Sequence, residues 1–124
     1  MAAVILIAED EPQNRKLFRD ILNRFGYQTL EALNGRQAVE MAREEKPGLI
    51  LMDIHMPVMD GWAAIKAIRE DEATREIPAL ALTAYIVQGE SGELTGAGFN
   101  DYITKPISIK GFLAKVAEFL PPGG

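Results

Sequence analysis

The sequence predicts an α/β fold: a doubly wound, five-stranded parallel sheet with helices on both faces. Three observations carry this. The short runs "VILIA" (4–8), "LILM" (49–52) and "ALALT" (79–83) are apolar throughout rather than alternating, as strands covered on both sides are. Longer segments with apolar residues at helical spacing separate them. Strand and helix alternate five times with no internal repeat or linker, which is the pattern of a parallel sheet.

Taken in order, "VILIA" is the first strand. The first helix spans about Pro12 to Phe25, with Pro12 at a tolerated first-turn position and Gly26 as its stop. Its expected core stripe is Leu17, Phe18, Ile21, Leu22 and Phe25. "YQTLE" (27–31) is more mixed and suits a sheet edge. The second helix follows "NGR" and turns Ala38, Val39 and Ala42 inward. "LILM" is the third strand. The third helix takes Asp60 as its N-cap and carries Ile65 and Ile68. "ALALT" precedes a fourth helix between about Ile86 and Phe99. Gly89, Gly92, Gly96 and Gly98 fall there, so this helix is expected to be short, irregular or mobile. "DYIT" (101–104) is the last strand. The last helix starts after Ser108, with Ile109, Phe112, Leu113, Val116 and Leu120 at helical spacing. "PPGG" (121–124) reads as a frayed tail, and residues 1–124 as a single domain.

Composition narrows the function classes. The 124 residues are 48% hydrophobic, enough for a sizeable core. The formal net charge of -5 argues against a nucleic acid partner. Without cysteine there is no disulfide framework and no thiolate metal site, which fits a reducing compartment. The start, "MAAVILIAEDE", lacks the basic segment of a signal peptide, and no apolar run is long enough to cross a bilayer. The expectation is a soluble cytoplasmic domain with no membrane partner.

The chemistry gathers where the strands end. In a doubly wound sheet, ligands bind beyond the carboxyl ends of the strands. The first strand delivers Glu9, Asp10 and Glu11 to that edge. The third delivers Asp53, in "LILMDIHMPVMDG" (49–61). The fourth delivers Thr83 and Ala84, and the fifth Thr104, Lys105 and Pro106. Clustered carboxylates raise one another's pKa, and a divalent cation removes that conflict. Magnesium suits best, because it takes oxygen ligands and needs only one or two carboxylates beside a phosphate. Lys105 and Thr83 then read as ligands of a phosphoryl group. Asp53 reads as a nucleophile that holds the group as an acyl phosphate.

Four segments, "ILIAEDE", "LILMDIHMPVMDG", "ALTA" and "YITKPI", stand in order over essentially the whole chain. Together they resemble the receiver domain of two-component response regulators. The Glu9-Asp10 order and "ITKPI" are closest to small single-domain regulators of the DivK type and to receivers fused to hybrid kinases. The resemblance implies a CheY-like, flavodoxin-like fold with strand order 2-1-3-4-5. It implies that Asp53 accepts a phosphoryl group from a sensor histidine kinase or histidine phosphotransfer protein, with a downstream protein as target. It implies Mg2+ (or Mn2+) bound by Asp10, Asp53, the backbone carbonyl of His55 and, through water, Glu9. Lys105 would pair with the phosphoryl oxygens, Thr83 and Tyr102 would act as the switch, and the Lys105–Pro106 peptide would be cis. His55 and Tyr85 would flank the path of attacking water. Asn14, Leu17, Pro106 and Ile107 would receive the donor. No output domain and no enzymatic turnover beyond the protein's own phosphoryl chemistry are implied.

Taken singly, these residues have simpler readings. Asp53 alone reads as a capping residue, Glu9-Asp10-Glu11 as a helix-starting acidic turn, Thr83 as a strand residue and Lys105 as a surface lysine before a proline. Tyr102 reads as partly buried in either case. His55 has no imidazole partners for a metal, and Met56 and Met59 read as loop packing. Other functions are also weighed. An aspartate-nucleophile phosphatase of D-x-D type would need a second acid where His55 stands. A flavodoxin-like cofactor carrier would need a first loop that welcomes phosphate, and "EDEPQ" is negative. An unphosphorylated binding module would not need the whole set. The glycines of "GESGELTGAG" lack the spacing of a phosphate-binding loop. A receiver excised from a longer hybrid kinase or regulator is the remaining alternative.

Overall fold

A computed structural model of the chain describes residues 3–84 and 90–122, the side chains of residues 90 and 91 excepted. Strands and helices alternate: β1 (Ala3–Ala8), α1 (Pro12–Arg24), β2 (Tyr27–Ala32), α2 (Gly35–Glu45), β3 (Leu49–Asp53), α3 (Gly61–Glu70), β4 (Ala79–Thr83), α4 (Glu90–Ala97), β5 (Asp101–Thr104) and α5 (Ile109–Phe119). The sheet order is β2-β1-β3-β4-β5, with every pairing parallel.

The strand pleat divides the core in two. Leu6, Ile50 and Met52 face α2 and α3, meeting Ala38, Ala42, Ile65 and Ile68. Ile5, Ile7, Leu49, Leu51, Leu80 and Leu82 face the other way, toward Phe18 and Leu22 of α1 and Phe112 and Val116 of α5. The rings of Phe18 and Phe112 stack with centroids 5.5 Å apart, joining the two helices of that layer. Every residue of β3 and β4 is buried, which is why each is apolar up to its last residue, Asp53 and Thr83. β2, at the edge, is only partly buried.

Local signals set the helix ends. Asp60 caps α3 by accepting from the Ala63 N–H at 2.9 Å, and Asn34 caps α2 through the Gln37 N–H at 2.9 Å. Pro12 occupies the first turn of α1, and Glu11 is its cap, accepting from the Gln13 and Asn14 N–H groups. The acidic turn therefore divides its work: Glu11 starts the helix, leaving Glu9 and Asp10 for other uses.

The apolar stripes of α1 and α5 are narrower than their sequences predict. Leu17 is 44% exposed, Phe25 48% and Ile109 53%. On α1 only Phe18, Ile21 and Leu22 reach the sheet, and Leu17 lies one residue round the helix from that contact line. Phe25 falls just past the helix, before Gly26 turns the chain at φ 97°. Ile109 is the first residue of α5, ahead of the contact made by Phe112 and Val116.

Among the described residues the fourth helix covers Glu90–Ala97, with Leu94 buried on it and Phe99 buried just beyond. Residues 86–89, where the predicted helix begins, lie outside the described residues.

Candidate functional site

The four strand ends named from the sequence meet at one edge of the sheet. Asp53 is the last residue of β3, and Glu9 and Asp10 follow directly on β1. Carboxylate oxygens of Glu9, Asp10 and Asp53 all lie within 4.8 Å of one another. Thr83 ends β4, and Lys105 follows β5 directly and leads into the cis Lys105–Pro106 peptide. The chain leaves β3 by a tight path: Gly61, which opens α3, packs so closely that a Cβ there would stand 2.6 Å from the Asp53 carbonyl oxygen.

Charge in this edge is only partly balanced. Glu9 is fully buried, and Asp53 is 7% exposed. The Lys105 ammonium donates to both, at 2.7 Å to Glu9 Oε1 and 2.9 Å to Asp53 Oδ2. The His55 N–H donates to Asp53 Oδ1 at 2.9 Å. Burial, reinforced by the neighbouring Asp53 carboxylate, pushes the Glu9 carboxyl up to about 7, with Lys105 opposing. Burial also works against the charged form of Asp53, but hydrogen bonds from Glu9, Lys105 and the His55 N–H outweigh it and hold that carboxyl below its usual range. Burial works against the Lys105 charge too, and its two carboxylate partners more than restore it. One ammonium thus serves a cluster of three carboxylates, and Glu9 bears the deficit.

That donor set fits a hard divalent cation. It offers carboxylate oxygens from three residues, and no imidazole takes part. His55 meets the cluster through its N–H, which donates to Asp53, and its side chain is exposed.

The remaining predicted residues fall around this centre. Thr83 is buried, opposite Thr104 in the β4–β5 register. Tyr102 is half-buried on β5 and packs against the α3-side core. Asn14, Leu17, Pro106 and Ile107 line one open groove of about 380 Å³, and Lys105 reaches into the same groove. Tyr85 lies outside the described residues. Two contacts are absent from the sequence reading: the Lys105–Glu9 pair and one made by Arg15. Arg15, on the first turns of α1, donates to the backbone carbonyls of Glu9 (3.0 Å) and Asp10 (3.3 Å). The available signal was a cation near a helix N-terminus, where the helix dipole disfavours positive charge.

Residues 5–117 match the model of the response regulator receiver domain. The chain belongs to this family. It is 38% identical over 120 residues to the polar-differentiation response regulator DivK of Brucella anthropi, covering 97% of this chain and 98% of that protein. Among solved structures it is similar to the receiver domain of the sensor histidine kinase PA1611 of Pseudomonas aeruginosa PAO1, whose active site cleft coordinates a magnesium ion. That match has a TM-score of 0.88 and 34% identity over 96% of this chain and 98% of the other. The chemotaxis protein CheY4 of Vibrio cholerae superposes with a TM-score of 0.91 at 27% identity, over 97% and 100% of the two chains. The receiver domain of Ssk1 of Saccharomyces cerevisiae, solved with the histidine phosphotransfer protein Ypd1, gives 0.85 at 29% identity, over 94% and 88%. This receiver domain is therefore a two-component signalling module with the CheY-like fold. No described helix is long and apolar enough to cross a membrane.

Proposed function

We propose that this receiver domain takes a phosphoryl group from a phosphohistidine donor onto Asp53. The observation that carries the reading is the arrangement at Asp53. A nearly buried carboxylate is kept ionised by the Lys105 ammonium at 2.9 Å and the His55 N–H at 2.9 Å, within an acidic cluster. An Asp53 oxygen attacks phosphorus, the P–N bond of the donor breaks, and its electron pair returns to the imidazole of the donor. Lys105 is placed to pair with the phosphoryl oxygens, which requires it to release a carboxylate. The Thr83 hydroxyl is the further partner, and Thr83 and Tyr102 form the switch that registers the new charge.

Glu9, Asp10, Asp53 and the His55 carbonyl would hold Mg2+ (or Mn2+), as the magnesium-bound receiver of the Pseudomonas kinase supports. When bound, the cation neutralises charge on the transferring group. The donor is a sensor histidine kinase or a histidine phosphotransfer protein, and the Ssk1–Ypd1 pairing supports the latter. We assign the groove at Asn14, Leu17, Pro106 and Ile107 to its docking. A downstream protein reads the phosphorylated state. The protein performs its own phosphoryl transfer and slow self-dephosphorylation rather than turning over a substrate, with His55 and Tyr85 shielding the acyl phosphate from water. The cytoplasmic setting expected from the sequence goes with this exchange.

Coverage of nearly all of a DivK relative supports residues 1–124 acting as a single receiver unit. The likeness to the receiver of a sensor kinase favours a second reading, a receiver belonging to a hybrid kinase. Intact mass after incubation with a small phosphodonor and Mg2+ tests the central claim. The wild type is expected to gain one phosphoryl group, and Asp53→Asn or a chelated sample none. Labelling that persists in Asp53→Asn overturns the assignment.

A further inference from the structure

The Glu9-Asp10 segment must hold two carboxylates in place, and of its two side chains only Glu9 is fixed by hydrogen bonds, from Lys105 and from the Glu11 N–H. The Asp10 carboxylate is exposed and has no hydrogen-bond partner among the described residues. What places Asp10 is therefore its backbone. Two tethers act on that backbone. The Glu9 N–H donates to the Ala32 carbonyl at the end of β2, at 3.1 Å. Arg15 Nη1 donates to the carbonyls of Glu9 at 3.0 Å and Asp10 at 3.3 Å.

Arg15 is itself held. Its Nε lies 3.3 Å from Glu31 Oε1, and Glu31 sits on β2 beside Ala32. The Arg15 side chain is 18% exposed, much less than a free surface arginine. The planar fork of a guanidinium suits this task, since one edge grips a carboxylate while another nitrogen spans two carbonyls. Helix stability does not explain an arginine here, because a cation near the N-terminus of α1 opposes the helix dipole. Nor does attraction of a cation explain it, because a fixed positive charge repels a divalent ion.

We infer that Arg15 is a positioning residue of the acidic cluster: it fixes the Glu9–Asp10 backbone against β2, and with it the carboxylates offered to a divalent cation. The inference rests on the reading of this cluster as a Mg2+ site. It makes a prediction opposite in sign to simple electrostatics. If Arg15 were only a nearby charge, its removal would tighten Mg2+. If it positions the loop, its removal loosens Mg2+ despite relieving repulsion.

The test is Mg2+ titration by calorimetry on the full chain at fixed ionic strength, with circular dichroism and thermal melting on each variant. Arg15→Gln is expected to weaken Mg2+ about tenfold, the lower end of the range for groups that orient metal ligands. Arg15→Lys keeps the charge but lacks the fork, and is expected to weaken it as well. Because Arg15→Lys leaves the charge in place, it keeps the test open should Arg15→Gln fold poorly: unchanged or tighter Mg2+ binding in a folded Arg15→Lys protein also overturns the inference. Tighter or unchanged Mg2+ binding in a folded Arg15→Gln protein overturns the inference, even if its melting temperature falls. A wild type that binds no Mg2+ overturns the reading of the cluster itself, and the inference with it.

Discussion

Lys105 Nζ lies 2.7 Å from Glu9 Oε1, closer than the 2.9 Å that separates it from Asp53 Oδ2. The ammonium thus joins the candidate phosphoacceptor to a carboxylate that has no access to solvent. In this arrangement Glu9 competes with Asp53, and with any incoming phosphoryl group, for the same cation.

The first prediction concerns pH, in protein freed of divalent ions by a chelator. Glu9 ionises near 7 when folded, against an ordinary value of 4.5. The folded state therefore holds its proton more tightly than the unfolded state, so stability falls as pH rises from about 4.5 to about 7. The full effect is on the order of 3 kcal/mol. Asp53 has the opposite sign: its lowered pKa gives stability that is lost only on acidification below the usual carboxylate range. Urea melts across this range should show the decline in wild type and a flat profile in Glu9→Gln. An equal decline in both would assign it to another group.

Docking provides the second. Leu17 is 44% exposed, so Leu17→Ala should cost no more than about 0.5 kcal/mol of stability, as surface substitutions do. With Asn14→Asp, it should slow transfer from a phosphohistidine-bearing donor severalfold while leaving labelling by a small phosphodonor unchanged. Equal loss with both donors would mean the substitutions disturb Asp53 rather than the groove.

Val58 supplies a third. It is 76% exposed, with φ at 67°, a region that costs a β-branched residue about 1–2 kcal/mol. Val58→Gly should relieve this strain, and the greater freedom of glycine in the unfolded chain offsets about 0.5–1 kcal/mol of it. A net gain of up to about 1 kcal/mol is expected in the urea midpoint. A loss of stability would show that the valine side chain makes contacts worth more than the strain.

The fourth concerns α4. Gly92 and Gly96 have nothing within 4 Å of where a Cβ would stand, and Leu94 is the only buried side chain described on the helix. Replacing both glycines by alanine should stabilise the helix by about 1–2 kcal/mol. Hydrogen exchange over residues 90–97 should be faster than in α1 and α5 in the unphosphorylated wild type, and should slow in the double variant and on phosphorylation. Equal protection of all three helices before phosphorylation would contradict a weakly held α4.

The strands were legible because burial on both faces forces unbroken apolar runs, as in "LILM" and "ALALT". The convergence of Glu9, Asp10, Asp53 and Lys105 was legible because strand ends of a parallel sheet share one edge. The width of a helix stripe was not. Leu17, Phe25 and Ile109 keep helical spacing but stand off the sheet, since periodicity names a face without saying how much of it the sheet covers. Arg15 was hidden for another reason: a side chain that binds backbone carbonyls has no partner residue type to search for. The pairing of Lys105 with Glu9 was likewise unseen, because the sequence suggested a phosphoryl partner for Lys105.

Trp62 lies on the first turn of α3, next to the Gly61 that presses on the Asp53 carbonyl, and its indole meets Phe99 edge-on with centroids 6.5 Å apart. It is the only tryptophan in the chain. The protein thus carries a built-in optical probe at the seam between the carboxylate edge and the end of α4. Emission from this one indole offers a label-free signal in a stopped-flow instrument, where events at Asp53 and rearrangement around Phe99 can be timed against each other in a single trace.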